Sequence, residues 1–150
     1  MPASPTAVYI LDDDPAIRQA LARLMRSAGL VVQAYESVAE MLEKPQFDDR
    51  VCIIADIRLP GISGLELPTL LAQQGRTRPV ILITAYDNDQ NRKAAHSAGA
   101  AAFFRKPVDG DALLDAITWA METDDDQRTQ TAQAHSDPSH SDPSDKGELP

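Results

Sequence analysis

Residues 50–64 read RVCIIADIRLPGISG. After Arg50 the chain is apolar at every position until Asp56, with none of the alternation of a half-exposed strand. Such a run predicts a strand covered on both faces, the central position of a parallel sheet. It stops at an acid and passes into a turn marked by Pro60, Gly61 and Gly64. Parallel strands must be joined by crossovers, so helices are expected on both sides of it in the sequence.

They are there. Upstream, AVYIL (7–11) is a short β-rich run ending in three acids, and a helix follows from Asp14. Asp14 can cap that helix, Pro15 suits its first position, and Ile17, Leu21, Leu24 and Ala28 recur at helical spacing before Gly29 ends it. LVVQAY (30–35) is the second strand, and Ser37 caps a short helix, VAEMLEK, that Pro45 stops. Downstream, a helix is expected around 65–74, where Pro68 should distort it or delay its start. PVILITA (79–85) and AAFFR (101–105) complete the strands. The last two helices are expected at 88–98 and 109–122, the latter with Leu113, Ile117, Ala120 and Met121 on one face. Five strands alternating with five helices predict an α/β fold, a doubly wound parallel sheet of order 2-1-3-4-5.

Composition narrows the function. The 150 residues carry a net charge of −9, the wrong sign for a nucleic-acid binder. No apolar run is long enough to cross a membrane, and MPASPTAVYI lacks the charged and apolar regions of a signal peptide. A single cysteine, Cys52, allows no internal disulfide and suits a reducing cytoplasm. Lying in VCIIA, Cys52 reads as a small buried hydrophobe. From Asp124 the chain holds seven acids against Arg128 and Lys146, almost no large apolar residues, and a tandem HSDPS repeat at 135–139 and 140–144. Residues 124–150 are therefore expected to form a disordered acidic tail, and residues 1–6 a disordered N-terminus, around a domain spanning 7–123.

In a parallel α/β sheet, chemistry gathers at the carboxyl ends of the strands. Those ends supply Asp12 and Asp13, Asp56, Thr84 and Lys106. Three carboxylates in one crevice repel one another, a cost that a divalent cation relieves. Oxygen donors suit Mg²⁺, with Mn²⁺ as a substitute. Lys106 adds a fixed positive charge and Thr84 a hydroxyl donor. The set fits a transferring phosphoryl group, with one carboxylate as nucleophile.

Four motifs, YILDDD (9–14), IIADIRLPGISGLEL (53–67), VILITA (80–85) and AAFFRKP (101–107), carry a resemblance. Residues 7–122 resemble the receiver domain of bacterial two-component response regulators, a flavodoxin-like fold, here in single-domain form. The DIRLPGISG loop and the FRKP ending are similar to the nitrogen-fixation regulator branch.

The resemblance implies that Asp56 accepts a phosphoryl group and that Asp13 and Asp56 ligate Mg²⁺. It further implies that Asp12 acts through water and that the Arg58 backbone carbonyl completes the protein ligands. Thr84 would bond a phosphoryl oxygen, Lys106 would pair with the phosphate ahead of a cis bond to Pro107, and Phe103 would follow Thr84 as a switch. The resemblance also implies a phosphoacceptor switch rather than an enzyme, capable only of self-phosphorylation and slow autodephosphorylation. Its expected partners are a sensor histidine kinase or phosphotransfer protein, and a downstream protein reading the 88–122 face where Trp119 lies. Phosphorylation-driven pairing of two copies is also compatible with it.

Two alternatives compete. A haloacid-dehalogenase-type phosphatase would use Asp12 and Asp14 as its DxD, but PAIRQ follows in place of the apolar and threonine continuation, and Asp56 would have no role. The chain could instead be the receiver part of a longer DNA-binding transcription factor. Nothing after Thr123 reads as a helix-turn-helix, so output is expected through protein contacts.

Overall fold

A computed structural model of the chain describes residues 6–136, with 128–136 in backbone only. Five strands, β1 (Ala7–Leu11), β2 (Val31–Tyr35), β3 (Val51–Asp56), β4 (Val80–Thr84) and β5 (Ala102–Arg105), form one parallel sheet of order β2-β1-β3-β4-β5. The helices are α1 (Pro15–Ser27), α2 (Val38–Leu42), α3 (Leu67–Gln73), α4 (Asp89–Ala98) and α5 (Gly110–Ser136).

The three inner strands are buried at every residue, which is why their sequences show no alternation. Alternate side chains instead feed two separate cores. Tyr9, Leu11, Ile53, Ala55 and Leu82 face Met41, Leu67, Leu71 and Ala95 from α2, α3 and α4. Val8, Ile10, Cys52, Ile54, Ile81 and Ile83 face Leu21 and Met25 of α1 and the 113/117/120/121 stripe of α5. Each large aliphatic side chain so buried contributes about 1.5–3 kcal/mol.

Local signals set the element ends. Asp14 caps α1 by accepting from the Ala16 N–H (2.9 Å), with Pro15 just inside. Gly99 closes α4 in the left-handed region, at φ 87°. Pro68 does delay its helix. Gly64–Glu66 form a 3₁₀ turn first, held by a reciprocal Ser63–Glu66 capping box, and α3 begins only at Leu67.

The sequence boundary at 123 needs correction. α5 does not stop at 122, and residues 124–136, expected to be disordered, continue it to Ser136. Composition was read for core-forming capacity, but a helix already nucleated by a packed segment propagates without repeating the nucleation cost. Residues 123–136 contain no glycine or proline, and the next proline is Pro138. The extension is also anchored, because Arg50 pairs with Asp125 at 2.8 Å. At the other end, Thr6 is tied in by its carbonyl to Val31 N–H and by its hydroxyl to Arg50. The remaining terminal expectations, 1–5 and 137–150 with most of the HSDPS repeat, lie outside the described residues.

Candidate functional site

Sheet register assembles the site. Leu11 pairs with Ala55, so Asp12 emerges from β1 beside Asp56 at the end of β3. Asp56 pairs with Ile83, which puts Thr84 one residue further along β4. Thr84 in turn pairs with Arg105, and Lys106 follows at the end of β5. Its backbone N–H donates to the Thr84 carbonyl (2.8 Å), and the Lys106–Pro107 peptide is cis.

Lys106 Nζ donates to Asp12 Oδ2 (2.8 Å) and to Asp56 Oδ2 (2.7 Å). Asp12 is fully buried and Asp56 is 7% exposed, while Asp13 lies open to solvent. Burial disfavours the Lys106 ammonium, but the hydrogen bonds and charges of Asp12 and Asp56 outweigh it and raise its pKa above the usual lysine value. The other oxygens are also used. Asp12 Oδ1 accepts from Asp14 N–H (2.9 Å), and Asp56 Oδ1 accepts from Arg58 N–H (3.0 Å). Carboxylate oxygens of Asp12, Asp13 and Asp56 lie within 4.8 Å of one another, close enough to share one cation. With Lys106 counted, three acids leave two net negative charges, the complement of a divalent ion.

Thr84 stands beside this cluster. Its hydroxyl accepts from the Tyr86 backbone N–H (3.0 Å) and keeps its own hydrogen free to donate. Phe103 is further away, half-buried on β5 opposite Leu82, on the face that Thr84 also follows by alternation. The Arg92 guanidinium lies 5.3 Å from its ring and is itself fixed by Asp87 (2.6 and 2.7 Å).

Residues 8–118 match the family described as Response regulator receiver domain. The chain belongs to that family. It is a receiver, similar to Nodulation protein W of Bradyrhizobium diazoefficiens, with 39% identity over 81% of this chain and 53% of the relative. It is similar too to the Transcriptional regulatory protein FixJ of Azorhizobium caulinodans, with 41% identity over 73% of this chain and 52% of that protein. The chain thus spans about half the length of these curated relatives. Among solved structures it resembles FixJ-N, with a TM-score of 0.73 and 28% identity over 80% of this chain and 96% of that one.

Asp12, Asp13, Asp56 and Lys106 of this receiver therefore meet in one cluster, and Thr84 and Phe103 sit along a neighbouring path. Several supporting residues escaped sequence reasoning. Arg18 donates to the Asp12 carbonyl (2.7 Å), steadying the turn that carries two of the acids. Gly64 brings its loop against the Asp56 backbone, with its N–H on the Ile57 carbonyl (3.0 Å) and the Ser63 hydroxyl on the same oxygen (2.9 Å). The second glycine of PGISG was the available signal, but it reads equally as an ordinary turn residue.

Proposed function

We propose that this receiver takes a phosphoryl group from a phosphohistidine on a sensor kinase or phosphotransfer protein, with Asp56 as the acceptor. An Asp56 carboxylate oxygen forms the new P–O bond as the P–N bond breaks, and the departing imidazole takes a proton from solvent. The observation that carries this reading is the Lys106 ammonium shared between Asp12 and Asp56. It supplies a partly buried positive charge beside a buried carboxylate, where transferred negative charge needs neutralising.

Thr84 donates its free hydroxyl hydrogen to a phosphoryl oxygen. The clustered oxygens of Asp12, Asp13 and Asp56 fit Mg²⁺ or Mn²⁺, with Asp13 and Asp56 as direct ligands, Asp12 through water and the Arg58 carbonyl alongside. When bound, the ion offsets the charge of the carboxylates and the incoming phosphate.

Phosphorylation draws the Thr84 hydroxyl inward, and Phe103 turns into the space it leaves. The surface of α4, β5 and α5 then differs between the two states. A partner protein reads that 88–122 face, where Trp119 is 55% exposed. We assign the chain a switch role in the cytoplasm, with slow autodephosphorylation as its only turnover. Incubation with a phosphorylated histidine donor tests the transfer. Mg²⁺-dependent, acid-labile label on the receiver is expected, and transfer undiminished by EDTA would contradict it.

A second reading, a receiver serving a DNA-binding regulator, is favoured by one observation. The chain covers only 52% of the Transcriptional regulatory protein FixJ. The chain's charge of −9 opposes direct DNA contact by these residues. Fluorescence anisotropy with duplex DNA should show no binding by these residues in either phosphorylation state, and salt-sensitive binding would contradict the charge argument.

A further inference from the structure

Each polar group of Asp12 has a partner. Its N–H donates to the Tyr35 carbonyl (3.2 Å), its Oδ1 accepts from the Asp14 N–H (2.9 Å), and its Oδ2 accepts from Lys106 (2.8 Å). Its carbonyl lies beyond the last β1–β2 pair, Leu11 with Tyr35. Arg18 supplies the donor there. This half-buried cation reaches back over the first turn of α1 and brings Nη1 to 2.7 Å from the Asp12 oxygen. The oxygen belongs to the peptide that joins Asp12 to Asp13. Because a peptide unit is planar, holding its oxygen also holds the Asp13 nitrogen and Cα. Asp13 is exposed, and its carboxylate is one of the three that cluster. An exposed side chain of this kind is placed chiefly by the backbone that carries it.

We propose that Arg18 is a positioning residue for the divalent cation, its bond to the Asp12 carbonyl setting the place of Asp13 as a ligand. The inference rests on the reading that Asp13 and Asp56 ligate Mg²⁺. Charge and geometry here predict opposite signs. Arg18 is a cation close to a site that takes a cation, so by charge alone its removal tightens Mg²⁺ binding. By geometry its removal frees the Asp12–Asp13 peptide and weakens binding. Groups that orient metal ligands are worth about 10- to 100-fold in affinity. Arg18 acts on the backbone of a single ligand, against its own charge, so Arg18→Ala belongs at the lower end, about 10-fold. A bond that only satisfied a buried carbonyl would, when lost, lower the melting temperature and leave the Mg²⁺ affinity as it was.

The test titrates the full, unphosphorylated chain with Mg²⁺ alone and reads the Kd from backbone amide shifts. Arg18→Ala should raise the Kd about 10-fold at low salt. The ratio to the parent should grow at about 1 M KCl, where a Debye length of about 3 Å screens the opposing charge effect. In an Asp13→Ala background the same substitution should leave the Kd equal or lower, because the ligand it places is gone and only the charge effect remains. Arg18→Lys keeps the charge without the planar fork and should also weaken binding; it carries the test if the alanine variant loses its circular dichroism spectrum. An unchanged or tighter Kd in the folded Arg18 variant, or a 10-fold loss that persists without Asp13, would overturn the positioning role. A parent that binds no Mg²⁺ would overturn the metal-site reading and this inference with it. A parent that binds, weakens on Asp13→Ala and is unchanged by substitution of Arg18 would overturn the role of Arg18 alone.

Discussion

Replacing Gly64 with alanine should cost both stability and phosphorylation rate. A Cβ at this position would overlap the Asp56 carbonyl oxygen and stand 3.0 Å from its carbon and 3.2 Å from the Ile57 Cα. All three are backbone atoms at the end of the central strand, so none can rotate aside. The loop must withdraw, stretching the Gly64 N–H bond to the Ile57 carbonyl. Overpacking costs about 1–3 kcal/mol, and the weakened hydrogen bond adds about 1 kcal/mol.

Such a loss is a large share of the roughly 5–15 kcal/mol that holds a domain folded. At about 2–4 °C per kcal/mol for a chain of this size, the melting temperature should fall by about 4–16 °C. Labelling by acetyl phosphate should slow as well, because Asp56 moves with its own carbonyl. Gly110→Ala is the control. There a Cβ would meet only rotatable side-chain atoms of Leu24, the nearest at 3.1 Å. Its melting temperature should stay within about 4 °C of the parent, the effect of a one-kcal/mol change. Circular dichroism melts and a labelling time course decide the matter. A Gly64→Ala variant as stable and as readily labelled as the parent would refute the close packing of this loop on Asp56.

Mg²⁺ at about 100 times its Kd should add about 2.7 kcal/mol to parent stability. Asp13→Asn should lose that increment while being at least as stable as the parent in EDTA, since one repelling charge is gone; an equal Mg²⁺ gain in the variant would contradict this. Stability should fall as pH rises above about 9, because burial pushes the Cys52 thiol up to about 12 from 9.0 and raises the Tyr9 phenol above 10.0. Lys106, held above 10.5 despite its burial, adds to the loss. In each case the folded state binds the proton more tightly, so the contribution is complete below the unfolded pKa and is lost on raising pH. The urea midpoint of Cys52→Ala should decline less between pH 9 and 11, and parallel curves would argue against it. Beryllofluoride should move the Phe103 ring resonances in the parent but much less in Thr84→Ala. Identical shifts in both would remove Thr84 from the coupling.

The fold was legible because parallel sheets leave a coarse mark. VCIIAD, VILIT and AVYIL are buried on both faces, and their polar residues appear only where the strands end. The site was legible from the same strand ends, since Asp56 and Thr84 close two of those runs, Asp12 follows the third and Lys106 follows β5. Contacts between distant loops left no such mark. Arg58 and Tyr86 are exposed side chains on different loops, and Arg50 meets Asp125 across 75 positions. The end of α5 was misjudged because polarity was taken for disorder. The continuation of a packed helix needs no apolar stripe of its own, and Ala132 and Ala134 with Gln127, Gln130 and Gln133 favour the helix.

Acid-labile incorporation of phosphate from acetyl phosphate should be measured side by side in the parent and in Asp56→Asn, with the labelled residue mapped by peptide mass spectrometry. The parent should take one phosphoryl group per chain in the presence of Mg²⁺, carried on Asp56. The variant should keep its circular dichroism spectrum and take none. Undiminished labelling of Asp56→Asn, or label mapped to Asp12, would contradict the assignment of Asp56 as the phosphoacceptor.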